Sequence, residues 1–167
     1  ALPFVRDALV FFGFPDIIFD PQDAFVRLAN RQRQTGADVV LGLYRARFPK
    51  KMDMVGCDAA GRVREIIIKP LSTDLTHTWI MAVWTGAFTR FMHEFLNQPT
   101  TIRAGEDREI FVGDVLRAWM QKGFPLETVT FSNGDYIDIG TPEDLNRAVK
   151  KVVDSLKAPL METTLGA

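Results

Sequence analysis

Two aspartates and a lysine stand where apolar strands end. Asp16 follows the irregular turn in FGFPDIIF, Asp138 interrupts YIDIG, and Lys69 closes REIIIKP against Pro70. The helix start beside Asp138 calls for no further acid. Thr141 suits the N-cap, Pro142 the first helical position, and Glu143 and Asp144 bring negative charge to the first turn. A carboxylate at the carboxyl end of a strand lies where α/β sheets bind ligands. As a pair at equivalent strand ends, Asp16 and Asp138 suit Mg²⁺, which takes one or two carboxylates and completes its shell with substrate phosphates. Lys69 offers a point charge to a phosphate. The plainer roles are a turn former or cap for each aspartate and a solvated strand end for the lysine.

The segments that must hold these residues alternate between strand and helix patterns. Residues 8–12 form a buried-strand run, and 22–35 place Ala24, Phe25, Leu28 and Ala29 on one helical face before Gly36. ADVVLGLYRA (37–46) reads as a buried strand, and 54–70 as two strands about a turn at Asp58–Gly61. TWIMAVWTGAF (78–88) is a further apolar strand, followed by a helix with an aromatic face over 88–96. Residues 97–108 read as a polar, irregular loop. A helix follows within 109–123, then strands at 125–131 and YIDIG, and a last helix over 142–157. The pattern predicts an α/β domain over 1–157 with a mixed, mostly parallel sheet flanked by helices, and a loosely ordered tail over 158–167. No GxGxxG or P-loop occurs among the 12 glycines.

Composition narrows the function. The 167 residues are enough for one domain with a substantial core, and the formal net charge of −1 favours neither nucleic acid nor an anionic membrane as partner. ALVFFGF is too short to span a bilayer. The single cysteine, Cys57, fits a reducing compartment, so a cytoplasmic location is expected. His77 and His93 lack partners at zinc spacing. The basic run YRARFPKK (44–51) reads as a solvated loop.

The order of these pieces resembles the sugar-phosphate nucleotidylyltransferases, the family that includes glucose-1-phosphate thymidylyltransferase. The carriers are PD at Pro15–Asp16, the turn and strand DAAGRVREIIIKP, EIFVGD at Glu109–Asp114, and DIGTPEDL from Asp138. The resemblance covers roughly residues 8–155. It implies a Rossmann-like nucleotide-diphospho-sugar transferase fold, Mg²⁺ held by Asp16 and Asp138, and Lys69 on the sugar phosphate. The implied reaction passes a nucleotidyl group from a nucleoside triphosphate to a sugar-1-phosphate, releasing pyrophosphate.

The chain departs from that pattern in three places. The Gly-rich loop that holds the triphosphate in the family is absent, so the chain looks like the carboxyl-terminal two-thirds of an enzyme, truncated at its amino terminus and inactive alone. Ile68 stands where the family has the glutamate of Glu-Lys-Pro, and no glycine occurs around Ile80–Met81. An uncovered sheet edge or apolar face would follow from such a truncation, and a homo-oligomer is expected from it. The alternative is a nucleotidyltransferase-like regulatory or scaffold domain that has lost catalysis. A glycosyltransferase reading ranks lower because the chain lacks an Asp-x-Asp step.

Overall fold

A computed structural model describes residues 2–98, 109–150 and 153 of the chain. In order, the elements are α1 (Leu2–Val5), β1 (Val10–Gly13), β2 (Ile17–Asp20), α2 (Ala24–Thr35), β3 (Val39–Arg45), β4 (Met54–Cys57), β5 (Val63–Ile67), β6 (His77–Trp84), α3 (Gly86–Leu96), α4 (Val112–Gln121), β7 (Glu127–Thr130), β8 (Asp135–Asp138) and α5 (142–150). A short 3-10 turn at Pro49–Lys51 precedes β4.

The larger sheet runs β5-β4-β6-β3-β7. β1 and β4 share one flank of β6, β1 along Met81–Trp84 and β4 along His77–Thr78. β2 and β8 form a separate antiparallel ribbon. The expected mixed sheet with flanking helices is therefore present. The balance of its pairings is a correction: among the described strands only β3–β7 is a parallel pair, and β6 runs against β1, β3 and β4. Strands buried on both faces read as continuous apolar runs in either direction, so the sequence carried no signal for this.

Strand alternation divides the core into two layers. Val39, Leu41 and Leu43 of β3 join Trp84, Phe88, Leu116 and Trp119 on the side of α3 and α4. Val40 and Tyr44 face the other way, onto Leu28, Phe131 and Tyr136. In β6 the alternation slips once. Trp79 and Ala82 belong to the first layer while Ile80 and Met81 both belong to the second. The pairing register shifts at the same place, between Gly42 and Leu43 of β3. This bulge re-aims the residues on either side, and Gly42 fits it because a Cβ there would lie 2.5 Å from the Met81 Cγ.

Several sequence boundaries move for local reasons. The strand expected to run to residue 88 stops at Trp84, because the Thr85 hydroxyl caps α3 by accepting from the Ala87 N–H at 3.3 Å. Gly36 ends α2 with φ 67, as expected of a left-handed C-cap. β2 was not anticipated; its four residues alternate between half-buried and exposed. The expected loop falls largely on 99–108, and the end of the last helix and the tail fall on 151–167; apart from 153, these lie outside the described residues. On the surface, Phe4 is 88% and Phe11 52% exposed, so apolar area on α1 and β1 is uncovered among the described residues.

Candidate active site

The ribbon of β2 and β8 places the two predicted aspartates together. Ile17 pairs with Asp138, and the Ile139 N–H donates to the Asp16 carbonyl at 2.8 Å, so Asp16 stands opposite Ile139, one step along the ladder from Asp138. Both side chains are exposed and both border a cavity of about 600 Å³ that Lys69 also lines. All three predicted residues thus share one concavity.

Asp138 has a local bond as well. Its Oδ1 accepts the Gly140 N–H at 3.0 Å, which corrects the reading that local structure leaves it unused. This Asx-type bond fixes the turn into α5. The predicted N-cap is present: Thr141 Oγ1 accepts from the Asp144 N–H at 3.2 Å and donates to Asp144 Oδ2 at 2.8 Å. Across the cavity, Asp114 accepts the Phe111 N–H at 3.0 Å, so the aspartate of EIFVGD closes the start of α4.

Lys69 is the single non-glycine residue with positive φ, 40°, among the described residues. Left-handed backbone at a side chain with a Cβ is strained, and such strain persists where the surroundings over-determine it. Here Pro70 is buried behind it, and the Lys69 Nζ lies 3.5 Å from the centre of the Phe111 ring. A cation over an aromatic face is attracted by about 0.5–2 kcal/mol. The contact holds the ammonium at the cavity wall.

Three features of the wall were not found in the sequence. The run expected to be a solvated loop contributes Arg47, Phe48 and Lys51 to the cavity. Its backbone is tied to β8, because the Tyr136 hydroxyl accepts the Arg47 N–H at 3.2 Å and contacts the Met52 sulfur at 3.0 Å. Arg47 also pairs with Asp135. Trp79 reaches the cavity from beside the bulge. The third feature is Asp53, just before β4. It is half-buried, and its Oδ1 has no hydrogen-bond partner. The nearby Trp79 indole N–H also lacks a full hydrogen bond.

Burial pushes the Asp53 carboxyl above the usual carboxylate range; Lys69 opposes this and Asp114 adds to it. The folded chain therefore binds that proton more tightly than the unfolded chain. Its stabilising contribution is full below the unfolded pKa and is lost as pH rises through the folded value. Asp53→Asn should melt higher than the parent at about pH 8, with the gap closing toward about pH 4 as the native carboxyl protonates. Thermal scans across that range check this, and a gap independent of pH would contradict it.

A mixed sheet flanked by helices, with its cavity beside the ends of the ribbon strands, matches the nucleotide-diphospho-sugar transferase fold of the solved structures it resembles. The chain belongs to the nucleotidyl transferase family, whose model matches residues 5–155. Among solved structures it is similar to a Bacillus anthracis protein described as a glucose-1-phosphate thymidylyltransferase, in complex with sucrose. That match has a TM-score of 0.69 at 18% identity and covers 87% of this chain and 55% of that one. The inositol-1-phosphate CTP transferase of T. maritima matches at TM-score 0.67 and 21% identity, covering 93% and 58%. UTP-bound UGPase of Acinetobacter baumannii matches at 0.69 and 13%, covering 98% and 59%. The chain thus spans a little over half the length of each of these structures. No curated protein matches it in sequence.

Proposed function

We propose that this chain carries the metal and sugar-phosphate side of a sugar-phosphate nucleotidyltransferase. The complete protein would join a nucleoside triphosphate to a sugar-1-phosphate with loss of pyrophosphate, in the cytoplasm. The observation that supports the reading is that Asp16 and Asp138, at one end of the β2–β8 ribbon, line the same cavity as Lys69. The structural relatives named above act on, or bind, nucleotides and sugar or inositol phosphates, which supports the same class.

Among the described residues no group of three or more His, Cys, Asp or Glu side chains is arranged for a metal. The donor set is two exposed carboxylates at an open cavity, and that fits Mg²⁺, which leaves room for substrate oxygens and water. Bound there, Mg²⁺ would neutralise charge on the phosphates. Asp16 and Asp138 would hold it, and Lys69 would steady the attacking phosphate. In-line transfer needs positioning and charge neutralisation more than covalent help from the protein.

The test uses the encoded full-length protein with glucose-1-phosphate and each of UTP, CTP, GTP and dTTP, following pyrophosphate release. At least one triphosphate should support release that stops when Mg²⁺ is chelated. Calorimetry should show nucleotide-sugar binding with the same metal dependence. Binding indifferent to Mg²⁺, with no pyrophosphate from any pair, would favour a scaffold that keeps the fold without the chemistry.

A further inference from the structure

Asp53 is a half-buried acid, with its Oδ1 buried, that the proposed reaction has not yet used. It stands one residue before Met54, which pairs with Ile67, so continuing the β4–β5 register sets Asp53 opposite Ile68. Opposed residues of an antiparallel pair point to the same face. The start of α4 confirms this: a Cβ on Gly113 would lie 2.2 Å from the Asp53 Oδ2 and 2.6 Å from the Ile68 Cδ1. Asp53 and Ile68 therefore share the patch beneath α4. Ile68 offers only hydrocarbon there, and Asp53 brings a carboxylate to the patch.

Three facts argue that the acid serves a ligand. Asp53 borders the same cavity as Lys69, Asp16 and Asp138. Its Oδ1 is buried without a full hydrogen bond, and the Trp79 indole N–H and the Lys69 backbone N–H that approach the carboxylate leave it incompletely satisfied. Lys69 is close enough to act on it electrostatically, and that lysine is fixed at the wall over the Phe111 ring. A cation beside a carboxylate matches a molecule bearing a phosphate next to hydroxyl donors, and a sugar-1-phosphate carries both on neighbouring ring atoms.

We propose that Asp53 accepts a hydrogen bond from a ring hydroxyl of the sugar-1-phosphate, making it a substrate-binding residue that sets sugar specificity. The assignment rests on the nucleotidyltransferase reading and extends it to a residue across the ladder from Ile68. The exchange of a neutral donor bond is the only chemistry involved.

The experiment compares parent and Asp53→Asn full-length protein with glucose-1-phosphate and with its 2-, 3- and 4-deoxy analogues. Loss of a hydrogen bond to a charged acceptor should raise KM for glucose-1-phosphate on the order of 10- to 100-fold. KM for the triphosphate should stay unchanged. One deoxy analogue should show no difference between parent and variant, because it lacks the hydroxyl that Asp53 receives. The variant is expected to fold at least as stably as the parent near neutral pH, so a selective KM effect is not an unfolding effect. Moving the acid, in Asp53→Ala combined with Ile68→Glu, should recover part of the lost affinity. An active parent with unchanged sugar KM in Asp53→Asn overturns this proposal and leaves the reaction class intact. So does a loss equal for every analogue. A parent that releases no pyrophosphate with any pair overturns both.

Discussion

Asp138→Asn in the encoded full-length protein should lower Mg²⁺-dependent turnover by ~10²-fold or more, the scale on which single charge-stabilising contacts in a reaction site act. The neutral amide keeps the shape of the side chain, and its carbonyl oxygen can still accept the Gly140 N–H that Oδ1 accepts now at 3.0 Å. The turn into α5 should survive, and the melting temperature should change little. The substitution removes charge at the cavity edge that Asp16 also lines. Steady-state rates titrated against Mg²⁺ check the point: the apparent metal requirement should rise as well. Parent-like turnover would take Asp138 out of the reaction site.

The largest stability effect should come from Phe88→Ala, at about 3–5 kcal/mol for removing a buried aromatic ring. Phe88 has no solvent exposure. Its ring meets Trp84 at 5.3 Å and Trp119 at 5.5 Å between centroids, both edge-on, which is a favoured arrangement of aromatic quadrupoles. Through Trp119 it fixes α4, and the start of α4 is the wall that carries Phe111 and Gly113 against Lys69 and Asp53. Urea unfolding measures the loss. A cost under about 1 kcal/mol would mean that the aromatic layer repacks, and that α4 is held by something else.

How much of this was legible in the sequence depends on what each signal encodes. Asp138 and Lys69 could be read because an acid or a lysine breaks an apolar run; Asp16, expected at the end of a strand, instead stands just before β2, and all three line one cavity. The Thr141 cap and the Gly36 stop could be read because caps are local chemistry. Asp53 could not. It sits in KKMDMVG with no apolar run before it, and only the β4–β5 register and the packing of α4 give it meaning. Arg47 and Lys51 have the composition of a solvated loop, and long-range bonds from Tyr136 turn that loop inward. The bulge beside Ile80 hid the facing of Trp79, since an unbroken period of two would have sent Ile80 and Met81 to opposite sides. Strand direction was invisible for a similar reason: a buried β6 looks the same whichever way its neighbours run.

The two-stranded ribbon knots together segments from the first and last parts of the described chain. Neither carboxylate has a neighbour to share a cation with until the polypeptide has come back upon itself, a closure opposed by the entropy of everything between. A cation gripped by both would act as a clasp on that closure, favouring the folded chain in proportion to its occupancy. Recognition of the ion and completion of the tertiary structure would then be one event.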